Sequence, residues 1–385
     1  MRLKRPVTLG LATLAVLSSR RAAAVEGGVE DRVTTHAVAI ATGGPTSPDL
    51  RCSGTLIAPN VVLTVRHCIS RLSADTPTCE QSFSEPVGVP SDLWINATPW
   101  AGPSTSWKNV ASWSLPEPSR VCGNDVALLV LASPYPESEA TPARPVLSEA
   151  ELRRAVSARV LGLAAFGASS ASGTGGGVRR SRFDIPIQCV PGDPSFACAG
   201  ALDYVDVREL TAGAGPCTGD SGAGAMLPSD RGVVFGVLSR GDLGKGTCSE
   251  GVFERTDVWS WLIAKTVLDA TPPGQAAPDW ARAAFPEAPR VGDRCRGAGA
   301  CSGDSDCVSF DGLRSFVCAA RCGAGCAEGT HCESNVCAPG PRTGAALTDR
   351  GCGVGRRPPS APAGPLAVIL GLASFACAAA RRLRR

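Results

Sequence analysis

Short apolar runs separated by glycine, proline and serine make up most of residues 25 to about 270. Six runs are typical of β-strands because they are short, apolar and bounded by turn-forming residues. In chain order they read HAVAIAT, GTLIA, VVLTV, VALLVLA, ARVLGLAAFG and VVFGVLS. Many short strands in one segment predict an all-β domain.

One helix is predicted near the end of this domain, in the stretch TDVWSWLIAKTVLDA. Its apolar residues recur at a spacing that suits one helix face, and they are Val258, Trp261, Leu262, Val267 and Leu268. The segment that follows, 271–289, is rich in proline and alanine and predicts a linker.

Residues 290–340 are predicted to form a small disulfide-rich module. This segment contains eight cysteines, and about fifty residues are too few to bury a large core, so disulfides are expected to hold it together. Zinc binding is the alternative, but the one histidine among these cysteines is His331. We expect no metal here and no cofactor elsewhere in the chain.

Both ends of the chain carry features of export and anchoring. Residues 1–24 combine a basic start, a short apolar run and an alanine triplet, which predicts a signal peptide rather than a membrane span. Residues 341–364 predict a spacer, and 365–385 predict a transmembrane helix with a basic cytoplasmic tail. The total of 18 cysteines also points to an oxidising compartment.

The formal net charge of +3 hides an acidic body. Residues 1–24 and 353–385 together contain eleven of the 38 basic residues and no acidic residue. The remaining 27 basic residues face 35 acidic ones, a net charge of −8. This balance argues against nucleic acid as a partner, since the basic residues belong to the predicted sorting segments.

The stretch GPCTGDSGAG raises the question of whether Ser221 is a nucleophile. A serine hydroxyl needs a neighbouring base, and the chain has three histidines. His331 lies in the cysteine-rich module and His36 inside a predicted strand, so His67, at a strand end, is the best candidate. A second Gly-Asp-Ser, ending at Ser305, lacks such partners and is interpreted as a loop.

Three motifs in one order resemble the trypsin/chymotrypsin-like serine proteases. CSGTLIAPNVVLTVRHC resembles the histidine motif of that family, NDVALLVL its aspartate motif and CTGDSGAG its serine motif. The order His, Asp, Ser is that family's order. The resemblance spans Val25 to Ala270 and implies a two-barrel fold that hydrolyses peptide bonds through an acyl-enzyme.

The resemblance implies a role for each matching residue. His67 is the general base, Asp125 orients it, and Ser221 attacks the peptide carbonyl. The backbone N–H groups of Gly219 and Ser221 form the oxyanion hole. The implied disulfides are Cys52 with Cys68, Cys217 with Cys248, and Cys189 with Cys198, and Cys79 and Cys122 remain as a further pair.

The resemblance also implies an activation pair. In the family, a new N-terminal amine pairs with the aspartate before the catalytic serine. The sequence VEGG begins at Val25, directly after the alanine triplet, so we expect the Val25 ammonium to pair with Asp220. Signal-peptide removal then activates the enzyme without a second protease. The alternative is that VEGG is an ordinary loop, since Glu26 replaces an apolar residue of the family.

The specificity pocket implied by the resemblance has no carboxylate at its base. Gly215 stands there, and the implied walls contain Ser239, Arg240, Gly241 and Gly251. We expect a neutral P1 residue rather than arginine or lysine. Arg240 could alternatively attract acidic groups near the cleft.

Two departures from the family pattern lie close to the implied triad. Arg66 precedes the histidine, and an unpaired charge there would lower the His67 pKa. Ala223 and Gly224 follow the serine in place of the usual Gly-Pro. These changes keep open a second hypothesis, a catalytically impaired binding protein that acts through its cysteine-rich module. Esterase activity is a third.

The C-terminal end resembles the MYXO-CTERM sorting signal of myxobacterial surface proteins. That signal has a short cysteine motif, an apolar span and an arginine-rich end, and the matching cysteine is Cys352. The resemblance implies cleavage near Cys352 and retention at the cell surface; a plain single-span anchor is the alternative. The expected partners are a protein or peptide substrate, the membrane before processing, and a surface partner of the module.

Overall fold

The computed structural model describes most of the domain that spans residues 25–284 and part of the cysteine-rich module. The described residues are 25–72, 79, 81–86, 88–103, 105–116, 121–168, 175–198, 200–201, 204–241, 248–284, 301, 305–308, 317–324, 326, 330–333 and 336–339. The predicted signal peptide, Cys352 and the predicted transmembrane helix lie outside these residues.

The first half of the domain is built from short strands and one short helix. Its elements are β1 (Val29–Glu30), β2 (Ala37–Thr42), β3 (Asp49–Ala58), β4 (Val61–Thr64), β5 (Ser70–Leu72), β6 (Phe83–Pro86), β7 (Trp94–Asn96), β8 (Trp107–Ser114), β9 (Ala127–Leu131), β10 (Arg144–Pro145) and α1 (Glu149–Val156). Six of these strands close into a barrel in the order β2-β3-β4-β9-β8-β7.

The second half repeats this architecture. Its elements are β11 (Val160–Ala165), β12 (Arg180–Cys189), β13 (Glu209–Ala212), β14 (Gly224–Leu227), β15 (Asp230–Gly241), β16 (Gly251–Arg255), α2 (Ser260–Ala270) and α3 (Asp279–Ala284). The strands run β12-β11-β14-β15-β16-β13, and pairing of β12 with β13 closes the second ring. The predicted all-β, two-barrel fold is confirmed.

Each barrel has its own apolar core. Ile40, Leu56 and Leu129 lie in the first core, and Leu163, Phe235 and Phe253 lie in the second. Strands β2 and β4 are buried along nearly their whole length, which explains why they appear in the sequence as continuous short apolar runs. Two barrels side by side leave a seam in which residues of both can meet.

The helices differ in part from the prediction. In α2 the buried residues include Ile263, Ala264 and Val267, which pack toward β4 and β9 of the first barrel. Part of the predicted linker 271–289 folds as α3, because Ala281 and Ala284 present a small apolar face to the same core. Helix α1 was not expected. Ser148 caps its N-terminus by accepting from the Glu151 N–H.

The cysteine-rich module contains two hairpins, one formed by β17 (Ser305–Val308) and β18 (Val317–Ala320), the other by β19 (Thr330–Glu333) and β20 (Val336–Pro339). Its described disulfides are Cys301–Cys318, Cys322–Cys332 and Cys326–Cys337. Trp261 of α2 packs against the buried cysteines Cys307 and Cys318. Ser305, the serine of the second Gly-Asp-Ser, begins β17 and is buried, so its interpretation as a loop residue is wrong.

Within the described residues, no helix is both long and apolar enough to span a bilayer.

Candidate active site

His67 lies in a single 3-10 turn, Arg66–Cys68, directly after β4. The disulfide Cys52–Cys68 fixes this turn to β3. The ring atom Nδ1 of His67 lies 2.7 Å from Asp125 Oδ2, and the His67 backbone N–H donates to Asp125 Oδ1 at 2.9 Å. Asp125 therefore holds both the ring and the backbone of His67.

Asp125 is buried just before β9 and accepts a further hydrogen bond from Ser239 Oγ at 2.6 Å. Burial disfavours its charged form, but the charge of His67 and the hydrogen bonds from His67 and Ser239 outweigh this effect and lower the pKa of Asp125. An ionised carboxylate only accepts hydrogen bonds. The proton between the two side chains therefore belongs to His67 Nδ1, and Nε2 remains an acceptor.

The pKa of His67 is raised above its ordinary value. Burial acts in the opposite direction and is the largest effect, and the charge of Arg240 also lowers the pKa. The charge of Asp125 and its hydrogen bond prevail. The arrangement thus stabilises an imidazolium, which is what a general base becomes after it takes a proton.

Ser221 lies on the loop before β14, and this loop docks onto β3. The Ser53 N–H donates to the Ser221 carbonyl at 2.8 Å, and Ser53 Oγ donates to the Gly219 carbonyl at 3.1 Å. Ser53 follows Cys52, which is bonded to the neighbour of His67. The middle of β3, at Cys52 and Ser53, therefore brings the Ser221 loop and the His67 turn together, and both the His67 and the Ser221 side chains are half-buried.

A hydroxyl, an imidazole and an orienting carboxylate at one barrel seam can support acyl transfer. The sequence profile of the Trypsin family matches residues 26–262, which is more than half of the chain. The chain belongs to the trypsin family. No curated protein matches it in sequence.

Many solved structures resemble this trypsin-family chain, and two of them serve as examples. The structure titled human heparin binding protein shares 18% identity at a TM-score of 0.46, covering 66% of this chain and 100% of that one. A structure titled HL collagenase shares 17% identity at a TM-score of 0.45, covering 63% and 98%. At these values they add nothing to the family assignment, which rests on the sequence profile.

Four disulfide bonds are described in the trypsin-family domain. They are Cys52–Cys68, Cys79–Cys122, Cys189–Cys198 and Cys217–Cys248. The Cys217–Cys248 bond fastens the loop of Ser221 to the segment before β16.

The N–H group of Val25 donates to the carboxyl of Asp220, and both residues are fully buried. Asp220 also accepts from the backbone N–H groups of Cys217 at 2.8 Å and Gly167 at 3.0 Å. Burial raises the pKa of Asp220 to about 7, although these three hydrogen bonds favour the carboxylate. Among the residues that the structure describes, no cation contributes to the pKa of this carboxyl, which burial and backbone hydrogen bonds determine.

The implied pocket residues lie at the end of β15 and the start of β16, except for Gly215, which lies between β13 and β14. Gly241 and Gly251 are cross-strand partners in the β15–β16 pair. A Cβ at Gly251 would meet Phe253 and Pro216 at 2.8 Å, so its immediate surroundings are apolar. Gly215 donates its N–H to the carbonyl of Cys248 at 3.0 Å.

Arg240 does not present its charge to the cleft. Its side chain is buried and forms a bidentate ion pair with Glu209, with Nη1–Oε1 at 2.6 Å and Nη2–Oε2 at 2.9 Å. The alternative that Arg240 attracts acidic groups of a substrate is therefore wrong, because an inward-facing carboxylate already neutralises it. Its neighbour Ser239 faces Asp125 rather than a pocket.

The departures from the family pattern are accommodated. Arg66 is buried but donates to the Pro116 carbonyl at 2.9 Å, and its guanidinium lies 4.9 Å from the centre of the Phe83 ring. It therefore has its own partners away from the His67–Asp125 pair. Ala223 is fully buried in the second core, where a small apolar side chain fits.

One group of possible metal ligands overlaps this site. Cys52, His67 and Cys68 place their ligand atoms within 4.8 Å of one another. The two sulfurs form a disulfide, so they are not thiolates and do not fit a metal ion.

The sequence interpretation missed three residues that support the site, namely Ser53, Glu209 and Glu254. Glu254 Oε1 accepts from the Asp125 N–H at 3.0 Å. Glu209 begins β13 next to Arg208, and Glu254 stands next to Arg255 near the end of β16, so neither is marked in the sequence as a buried carboxylate.

Proposed function

We propose that this trypsin-family chain is an exported, surface-attached serine endopeptidase. Ser221 attacks the peptide carbonyl, His67 Nε2 takes the hydroxyl proton, and Asp125 stabilises the resulting imidazolium. His67 then protonates the leaving amine, and water releases the acyl group from Ser221 by the same steps in reverse. The N–H groups of Gly219 and Ser221 donate to the oxyanion.

The observation that carries this proposal is the pairing of His67 with Asp125. The carboxylate binds both the ring and the backbone of His67, at 2.7 and 2.9 Å. A histidine packed only for structure does not need its ring and main chain fixed by one buried carboxylate. This pairing assigns Nδ1 as the donor and Nε2 as the acceptor of the neutral ring.

The start of the domain supports activation by removal of residues 1–24. Val25 has φ of 51°, a left-handed backbone that a β-branched residue rarely adopts and that costs about 1–3 kcal/mol. Cutting the preceding peptide bond removes this constraint, since φ then no longer involves a carbonyl. The cut also converts the Val25 N–H into an ammonium beside the Asp220 carboxyl. Cleavage therefore relieves the backbone strain at Val25 and also provides a cation for the Asp220 carboxyl.

We further propose a preference for neutral P1 residues. Gly215 offers no carboxylate, and the nearest side-chain atoms around Gly251 are carbons of Phe253, Pro216 and Leu238. The atoms nearest to where a Gly215 Cβ would stand are two carbons of Ile185, at 3.0 and 3.3 Å, and Nη1 of Arg182 at 3.8 Å. None of these neighbouring atoms, among the residues that the structure describes, is a carboxylate oxygen that could compensate a lysine or arginine side chain.

Export and surface attachment are proposed from the sequence of the two chain ends. The disulfides of the domain and of the module agree with an oxidising compartment. The C-terminal signal with Cys352 would retain the domain at the cell surface, with the cysteine-rich module between the domain and the anchor.

A peptide-library cleavage profile of the exported protein tests this function, with Ser221→Ala as the matched control. We expect cleavage after neutral residues by the wild type and none by the variant. Cleavage after arginine or lysine would overturn the pocket assignment alone. Equal turnover by both proteins would overturn the endopeptidase assignment and favour the binding-protein hypothesis. Activity toward esters without peptide cleavage would favour an esterase.

A further inference from the structure

Two buried glutamates of the second barrel lie against the backbone that carries Asp125. Glu209 on β13 and Glu254 on β16 are direct cross-strand partners, and both are buried. Glu209 Oε1 accepts from the Gly123 N–H at 2.9 Å, and Glu254 Oε1 accepts from the Asp125 N–H at 3.0 Å. The two carboxyl groups thus bind the first and the third backbone N–H of the segment 123–125.

This arrangement carries an electrostatic cost. Like charges directly opposite each other on neighbouring strands repel, and burial increases the cost of each charge. Arg240 neutralises one of them through its bidentate pair with Glu209. Burial, together with the nearby Glu209 and Asp125 carboxylates, raises the pKa of Glu254 well above its ordinary range.

The remaining oxygens of both glutamates are also bound. Glu209 Oε2 accepts from the Asp206 N–H at 2.8 Å, and Trp259 Nε1 donates to Glu254 Oε2 at 3.3 Å. Buried ion pairs add little net stability compared with well-packed apolar side chains. What these groups supply is therefore placement of the backbone rather than stability.

The placement matters because the candidate triad spans the seam between the barrels. His67 and Asp125 belong to the first barrel, and Ser221 belongs to the second. Glu209 and Glu254 reach from the second barrel to the segment of Asp125, and Ser239 reaches from the same barrel to its carboxylate. These hydrogen bonds oppose a relative shift of the two barrels, because such a shift would move Asp125 away from Glu254 and Ser239.

We propose that Glu209 and Glu254 are positioning residues for the hydrolytic reaction. They fix the backbone of residues 123–125 so that the Asp125 carboxylate remains aligned with His67 while Ser221 reacts. This inference rests on the proposed serine protease function, and it assigns two residues that act through Asp125 and touch no substrate.

The test uses the full chain, exported with its own leader and purified, as the wild type and as single-residue variants. Glu254→Ala removes the acceptor for the Asp125 N–H, whereas Glu254→Gln retains an oxygen for it. Asp257→Ala is the matched control, because Asp257 forms an equally buried bidentate pair with Arg255, just beyond β16, and does not touch residues 123–125.

We expect Glu254→Ala to lose about 100-fold in kcat at nearly unchanged KM, the scale of a misplacement of about 1 Å at a reacting group. Glu254→Gln is expected to recover most of this loss. Asp257→Ala should lower the melting temperature without changing kcat. Glu209→Ala should repeat the pattern of Glu254→Ala.

A second readout separates this inference from the proposed function. The NMR resonance of the proton between His67 Nδ1 and Asp125 Oδ2 reports their alignment without turnover. We expect it to be sharp in the wild type and in Glu254→Gln, and shifted or lost in Glu254→Ala. If the wild type has no peptidase activity, the proposed function fails and this resonance alone decides the inference.

Several results would overturn the positioning role. One is a folded Glu254→Ala protein with wild-type kcat and an unchanged resonance. Another is a kcat loss in Glu254→Gln as large as in Glu254→Ala. If Glu254→Ala does not fold, Glu254→Asp, which keeps the carboxylate but withdraws it by one methylene, takes its place with the same expected loss of kcat.

Discussion

The backbone N–H of Ser53 donates to the carbonyl oxygen of Ser221 at 2.8 Å, which joins the first barrel to the loop of the candidate nucleophile. The adjacent Gly222 fits into the same contact. Its φ is +88°, and a Cβ there would stand 2.1 Å from both the Ser53 carbonyl oxygen and Thr64 Oγ1. Neither neighbour can retreat easily, since one is backbone and the other donates to that carbonyl.

Gly222→Ala is therefore expected to abolish activity and to cost roughly 3 kcal/mol or more, from backbone strain and overpacking together. Gly274→Ala is the matched control, since its φ is +81° and nothing lies within 4 Å of its added Cβ. Only strain acts there, about 1 kcal/mol. Chemical denaturation measures both variants; equal losses would contradict the contact between the Ser221 loop and β3.

The pH dependence of kcat/KM should follow the neutral form of His67. Since the pKa of His67 is raised, activity should increase with pH through a midpoint above the ordinary value of 6.5. The stability that His67 contributes has the opposite sign: it is present below pH 6.5 and is lost as pH rises through the raised pKa. Activity and stability profiles over pH 5–9 measure the two effects.

Asp125→Asn should remove the effects that raise the His67 pKa, leaving burial and Arg240, which lower it. The midpoint should then move to lower pH, and kcat should fall by about 10⁴-fold because the ring loses its fixed tautomer. Asp269→Asn, an exposed change on α2, is the control and should leave both unchanged. An unshifted midpoint in Asp125→Asn would contradict the pairing.

The raised pKa of Asp220 predicts how the stability of the uncut chain depends on pH. Its ordinary pKa is 3.8, and burial raises the folded-state pKa to about 7. The stability that this protonated carboxyl contributes is therefore full below pH 3.8 and is lost as pH rises toward 7, at most about 4 kcal/mol. Full chain refolded with residues 1–24 attached should become less stable over this window.

Two comparisons test this behaviour. Asp220→Asn in the uncut chain should flatten the pH dependence. In the chain that begins at Val25, the ammonium lowers the Asp220 pKa and should remove the loss of stability toward pH 7. A cut and an uncut chain with identical pH profiles would contradict the Val25–Asp220 pair.

The sequence predicts six of the strands because a short apolar run bounded by turn-forming residues is a local signal, whereas the more polar strands β8 and β12 were not predicted. The strand and helix ends are harder to predict: α3 forms inside a proline- and alanine-rich segment because Ala281 and Ala284 find a core that no local pattern reveals. The partners of the Arg66 guanidinium were equally hard to predict. Pro116 and Phe83 are distant from Arg66 in sequence, so the sequence alone indicated the risk of an unpaired cation beside His67.

The candidate site divides in the same way. His67, Asp125 and Ser221 stand in motifs that can be recognised one at a time. Glu209 and Glu254 are 45 positions apart and meet only through the β13–β16 register. Arg240 looks like a cleft residue in sequence and is turned inward by Glu209, a pairing that depends on the closed second barrel.

The central claim is that Ser221 is an activated nucleophile, and covalent labelling with a fluorophosphonate probe tests it most directly. Peptide mapping by mass spectrometry locates the adduct in the exported protein, with Ser221→Ala and His67→Ala as controls. The account predicts one adduct, on Ser221, which disappears in both variants. An unlabelled wild-type protein, or equal labelling of the Ser221→Ala variant, would contradict it.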